Sequence, residues 1–148
     1  MHADIKKILL VEDNPNDAEL TLEALSEKRL ANEVIWLKDG QEALDFLYCQ
    51  EAYAGREKIN PVLILLDIKM PRVDGLQVLK QIKGDPKLRT IPVVILTSSR
   101  EERDLLEGYN NGVNAFVVKP VIFADFMHSV ASLGAFWAVL NEAPPTKV

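Results

Sequence analysis

Four short apolar runs in this chain each end on side chains able to do chemistry. Glu12 and Asp13 follow run 8–11, Asp67 follows run 62–66, Thr97 follows run 91–96, and Lys119 follows run 115–118. Taken singly, each has an ordinary explanation, since an Asp often caps a strand end. Together they are harder to set aside. Two carboxylates about 4 Å apart repel by about 4 kcal/mol at an effective dielectric near 20. Three together must hold protons or recruit a cation. Oxygen donors with no His or Cys among them select a hard ion, and few protein ligands plus water suit Mg²⁺. Lys119 adds a fixed positive charge and Thr97 a hydroxyl. Cation, ammonium and hydroxyl are what a transferring phosphoryl group requires, because its charge spreads over three oxygens. A carboxylate beside them can act as nucleophile and form an acyl phosphate. The residues point to Asp67 as that carboxylate.

Such convergence needs a scaffold that brings strand ends to one edge. Residues 5–11 read as a first strand, broken by Asn14-Pro15. Asn16 is the expected N-cap of the helix that follows, with Glu19 completing a capping box and Ala18, Leu22 and Leu25 forming its apolar stripe. Residues 33–37 form a second strand, and Asp39-Gly40 opens a helix with Ala43, Leu44 and Leu47 inward. Residues 48–60 are a polar connection to the central strand, 62–66, whose unbroken apolar run suits burial on both faces. Leu76, Leu79 and Ile82 lie at helical spacing, and Gly84-Asp85-Pro86 stops that helix. Strand 91–96 follows, then a charged helix with Leu105, Leu106 and Tyr109 as packing residues, closed by Asn110-Asn111-Gly112. Strand 115–118 and a long helix over about 123–140 complete the pattern, and Pro144-Pro145 marks a tail. Five strands alternating with five helices predict a doubly wound α/β fold with a five-stranded parallel sheet and right-handed crossovers. Functional residues in such sheets stand beyond the carboxyl ends of the strands.

Composition agrees with one soluble domain over residues 1–148, its core at about 5–140 and a short tail at 141–148. The chain is 48% apolar and 26% charged, the balance of an ordinary globular protein. A net charge of −5 argues against direct binding of nucleic acid, which needs a basic surface. No apolar run reaches the ~20 residues that cross a bilayer, and the run 8–11 that follows Lys6 and Lys7 is too short for a signal peptide. The expected location is cytoplasmic. The single cysteine, Cys49, cannot form an internal disulfide and reads as a packed residue in a helix. His2 and His128 read as bystanders.

The ordered motifs carry a resemblance. Val-Glu-Asp-Asn (11–14), Leu-Leu-Asp-Ile-Lys-Met-Pro-Arg-Val-Asp-Gly (65–75), Ile-Leu-Thr-Ser-Ser (95–99) and Phe-Val-Val-Lys-Pro (116–120) resemble the receiver domains of two-component response regulators. The chemotaxis regulator is that family's best-known small member. The resemblance implies the flavodoxin-like strand order 2-1-3-4-5. It makes Asp67 the phosphoacceptor. Asp13 and Glu12 would hold Mg²⁺, Glu12 through water, with Asp67 and the backbone carbonyl of Lys69 as further ligands. Thr97 and Lys119 would bind phosphoryl oxygens, with a cis peptide at Lys119-Pro120. Thr97 and Phe116 would form the switch, as a population shift between two packings. The side chain of Lys69, two residues past the acceptor, would either overlook the phosphoryl group or lie in solvent. The donor would be a sensor histidine kinase, and the protein would not be an enzyme beyond its own phosphoryl transfer and dephosphorylation.

The last helix adds a finer expectation. Phe123, Phe126, Val130, Leu133, Trp137 and Leu140 form a stripe, while Met127, Ala131, Ala135, Phe136 and Val139 cover much of the remaining surface. A helix apolar nearly all round implies a second partner, here a homodimer through Phe123, Met127, Phe136, Trp137, Leu140 and the neighbouring strand edge. Phe-Ala-Asp-Phe (123–126) and Leu-Gly-Ala-Phe-Trp (133–137) also resemble the small regulators paired with bacterial phytochromes. Three other functions compete. A Mg²⁺-dependent phosphoesterase of the Asp-nucleophile type needs an acid two residues past the nucleophile, where this chain has Lys69. A flavin-binding domain needs a Ser/Thr/Gly-rich loop where this chain has acidic residues. A phosphorylation-independent scaffold needs no such site at all.

Overall fold

The computed structural model describes residues 7–26, 33–70, 73–107, 115–135 and 139, with the side chains of 105–107 outside that description. Its strands are β1 (Lys7–Val11), β2 (Glu33–Leu37), β3 (Leu63–Asp67), β4 (Val93–Thr97) and β5 (Phe116–Val118). The helices between and after them are α1 (Pro15–Ser26), α2 (Gly40–Leu47), α3 (Gly75–Gly84), α4 (Arg100–Glu107) and α5 (Phe123–Ser132). The strands form one parallel sheet in the order β2-β1-β3-β4-β5.

The unbroken apolar runs of β1, β3 and β4 are explained by the two cores that the sheet separates. Alternate strand residues point to opposite faces. Leu9, Val11, Ile64, Leu66 and Ile95 pack with Ala43, Phe46 and Leu47 of α2 and Val78, Leu79 and Ile82 of α3. Ile8, Leu10, Leu63, Leu65, Val94 and Leu96 pack with Ala18 and Leu25 of α1 and Phe126 and Val130 of α5. Both faces are covered, so neither register of the pleat can be polar. Among the described residues, no helix is long and apolar enough to cross a membrane.

Several local expectations need correction. The side chain of Asn14, not Asn16, caps α1, accepting from the amides of Asn16 at 2.9 Å and Asp17 at 3.1 Å. Pro15 then takes the first helical position, where its missing N–H costs nothing. Cys49 lies in the turn after α2 with φ of 53°, not inside a helix. Leu76 is 38% exposed, and Val78 fills the inward place in α3 instead. The 48–60 connection is more ordered than its polarity suggested. It contains a 3₁₀ turn (Glu51–Tyr53), and Arg56 stacks 4.0 Å from the Phe46 ring centroid while donating to the carbonyls of Phe46, Glu57 and Ile59.

The long last helix is the largest departure, because α5 stops at Ser132. Gly134 takes φ of 66°, and its amide donates to Ala131 O at 2.9 Å while the Ala135 amide donates to Val130 O at 3.0 Å. That pair of bonds is a Schellman termination, with buried Ala135 returning the chain to the core. The apolar period continues past a glycine that favours stopping, and the glycine prevails. Phe136, Trp137 and Leu140, with the tail, lie outside the described residues, as do Tyr109, Asn110-Asn111-Gly112 and the side chains of Leu105 and Leu106.

Candidate functional site

Each functional side chain is placed by the end of a strand. The Glu12 amide donates to Leu37 O at 3.0 Å, extending the β1–β2 ladder by one residue and fixing the turn into α1. The Trp36 indole N–H donates to the Glu12 carbonyl at 2.7 Å and holds the same turn from the β2 side. Asp67 ends β3, paired in register with Leu96, and Thr97 ends β4, paired with Val118. The Lys119 amide donates to Thr97 O at 2.8 Å, which brings the lysine to the edge beside both, and Lys119-Pro120 is cis. The loop after Asp67 folds back tightly, the Gly75 amide donating to Ile68 O at 3.0 Å. A Cβ at Gly75 would run into the Asp67 carbonyl, so only glycine lets α3 begin this close to the acceptor strand.

At this edge Glu12, Asp13 and Asp67 each offer a carboxylate oxygen, all within 4.8 Å of one another. Glu12 and Asp67 are buried, whereas Asp13 faces solvent. Lys119 Nζ lies 3.0 Å from Glu12 Oε1, 3.0 Å from Asp17 Oδ2 and 3.3 Å from Asp67 Oδ2. Burial works against its charge. The hydrogen bonds to Asp17 and Glu12, with the negative charge of Asp67, outweigh burial and raise its pKa above the ordinary lysine value. The Glu12 carboxyl is pushed up to about 8, first by burial and then by its hydrogen bond to Asp67 and that residue's charge. Burial and the neighbouring Asp67 carboxylate together favour the neutral form of this acid, against the pull of Lys119. The oxygen-only donor set, one member open to solvent, fits a hard divalent cation that keeps some of its water.

Thr97 is fully buried, and its hydroxyl has no hydrogen-bond partner among the described residues. Leaving a buried hydroxyl unpaired costs about 1–3 kcal/mol, so this hydroxyl is held at the end of β4 without the acceptor it favours. Phe116 is half-buried against the α2–α3 core, and its carbonyl accepts from Ser129 Oγ at 3.2 Å. Lys69 splits in two. Its amide donates to Asp67 Oδ1 at 3.3 Å, while its side chain, 77% exposed, pairs with Glu102 at 3.0 Å.

The structure therefore brings Glu12, Asp13, Asp67, Thr97 and Lys119 to one sheet edge, as their strand-end positions implied. Two participants were not anticipated. Asp17 stands in the first turn of α1 and not at a strand end, so the strand pattern does not point to it, yet its carboxylate reaches Lys119. Glu102 also joins Lys69 to the amide of Ser98, at 3.0 Å, and nothing in its charged neighbourhood singled it out.

A parallel sheet with acids, a lysine and a buried hydroxyl at its carboxyl edge is suited to hold a hard cation beside a phosphoryl group. The chain belongs to the family of response regulator receiver domains, whose model matches residues 8–131. It is 56% identical to the bacteriophytochrome response regulator AtBRR, covering 95% of this chain and 100% of that one with a TM-score of 0.89. Response regulator Rcp1 of Synechocystis is 40% identical, the match covering 89% of this chain and 88% of Rcp1. A solved Mn(2+)-bound form of Rcp1 superposes with a TM-score of 0.72 at 38% identity, covering 95% of this chain and 99% of that one. The probable methanogenesis regulatory protein FilR2 of Methanothrix harundinacea is 41% identical, over 93% of this chain and 86% of its own. This is a response regulator receiver related to phytochrome response regulators.

Proposed function

We propose that Asp67 is the phosphoacceptor and that a sensor histidine kinase, of the phytochrome kind, is the donor. An Asp67 oxygen bonds to phosphorus as the P–N bond of the donor's phosphohistidine breaks, and the leaving nitrogen keeps the electron pair. The observation that carries this reading is the Lys119 ammonium, set between Asp67 and Glu12, with the backbone of Lys119 bonded to Thr97, whose buried hydroxyl has no partner among the described residues. Lys119 and Thr97 would receive the phosphoryl oxygens, and Phe116 would follow Thr97 as the switch aromatic. Glu12 through water, Asp13, Asp67 and the Lys69 carbonyl would hold Mg²⁺. When bound, that ion supplies positive charge to the phosphoryl oxygens. Water attack on phosphorus would then release phosphate and restore the carboxylate.

The test is intact mass after incubation with acetyl phosphate. Wild type is expected to gain one phosphoryl group only when Mg²⁺ is present, and Asp67→Asn to gain none. No gain by wild type in Mg²⁺ would overturn the assignment and leave a scaffold as the better reading. Output would pass through protein contact in the cytoplasm, with no nucleic acid bound directly. A homodimer through α5 is part of this reading, supported by exposed Ile122 and the half-buried Phe123 and Met127 at its start.

A further inference from the structure

A lysine ammonium has three N–H bonds and no more. At Lys119 three carboxylate oxygens take them: Glu12 Oε1, Asp17 Oδ2 and Asp67 Oδ2. Two of these acceptors belong to the acidic cluster that fits a divalent cation, and the third does not. Asp17 comes from a different element, the first turn of α1, and is the most exposed of the three, at 35% against 0% and 5%. The ammonium is thus stretched between the buried metal-site oxygens and one acceptor nearer the solvent.

We propose that Asp17 is a positioning residue for Lys119, holding its ammonium toward α1 so that Glu12 and Asp67 are free to take a cation. The inference rests on the receiver reading above. A cation entering the cluster competes with Lys119 for Glu12 and Asp67. With Asp17 in place, the ammonium keeps a charge-assisted bond when it gives up the other two. Without Asp17 it has only the metal-site oxygens, so ammonium and cation contend for the same atoms. Asp17 itself touches neither the cation nor the acceptor oxygen that reacts.

Calorimetric titration with MgCl₂ tests this on the full chain, and with Trp137→Phe in every variant the fluorescence of Trp36 is a local reporter through its bond to the Glu12 carbonyl. Asp17→Ala is expected to weaken Mg²⁺ binding by about three- to tenfold, the size of one partly exposed charge-assisted contact. Asp17→Glu should recover most of the loss. In a Lys119→Met background the Asp17→Ala effect should vanish, because the residue acts through the ammonium. An equal loss in both backgrounds would mean that Asp17 contributes only bulk negative charge, and the proposal falls. An unchanged or tighter affinity for Asp17→Ala in the wild-type background also overturns it. Lys119→Gln replaces Lys119→Met if the latter lowers the melting temperature. These titrations need no phosphoryl transfer, so they separate failure of this proposal from failure of Asp67 as phosphoacceptor.

Discussion

Lys69 shows how a residue beside the acceptor acquires its role from its neighbours. Its backbone faces inward, the amide on Asp67 Oδ1, while its ammonium reaches outward to Glu102 at 3.0 Å. Burial would raise the Glu102 carboxyl, but the Ser98 amide and Lys69 outweigh that effect and hold it below the usual range. Glu102 is therefore a committed anion, and Lys69 has a partner without the phosphoryl group. A pair with one member this exposed contributes at most about 1 kcal/mol, discounted for solvent screening. Lys69→Ala is accordingly expected to leave the acyl-phosphate half-life within about twofold of wild type, the ion pair being weak and turned away from Asp67. Loss of radiolabel from the phosphorylated protein measures it. A much larger change would mean that Lys69 leaves Glu102 for the phosphoryl group.

At the scale of elements, strands were the most legible part of the sequence. Residues 33–37 coincide with the described β2, β1 ends at Val11 as the run does, and β3, β4 and β5 each begin one or two residues inside the sequence-based run. A strand buried on both faces announces itself as an unbroken apolar run, and four such runs also delivered the site, because chemistry sits where the run ends. Helix ends were less legible, since they depend on single residues competing for the same job. Asn14 and Asn16 are both good caps, and only the position of Pro15 decides between them. The apolar period favours extending α5, whereas Gly134 accommodates a left-handed turn that ends it. That termination changes the expected dimer face. With the helix closing at Ser132, the large apolar residue of this segment that stands well exposed among the described residues is Ile122, 56% exposed at the N-terminal end and next to half-buried Phe123. If this end carries the homodimer, Ile122→Asp should convert a dimer to a monomer in sedimentation velocity at micromolar concentration, without altering the far-ultraviolet spectrum. A wild type that sediments as a monomer, phosphorylated or not, removes the dimer from the reading.

The whole molecule explains why the long-range contacts of the site could be guessed in outline but not in detail. Parallel topology alone collects the carboxyl ends of β1, β3, β4 and β5, which is enough to unite residues as distant as Glu12 and Lys119. Which oxygen meets which ammonium hydrogen depends on side chains from helices, and α1 and α4 supplied the two that the strand pattern omits. The same dependence makes the site a report on folding. Glu12, Asp13 and Asp67 come together only when β1 and β3 pair, so an unfolded chain has no comparable cluster for a divalent cation. A ligand that binds only the folded state stabilises it by RT ln(1 + [L]/Kd), about 1.4 kcal/mol at ten times Kd. For a chain of this size that raises the melting temperature by about 3–6 °C. Differential scanning fluorimetry should show this rise with MgCl₂, its reversal by EDTA, and its loss in Asp13→Asn. Asp13 is the exposed member of the cluster, so removing its charge disturbs the core least and isolates the contribution of the cation. A rise that persists undiminished in Asp13→Asn would place the ion elsewhere on the acidic surface and detach it from the acceptor edge.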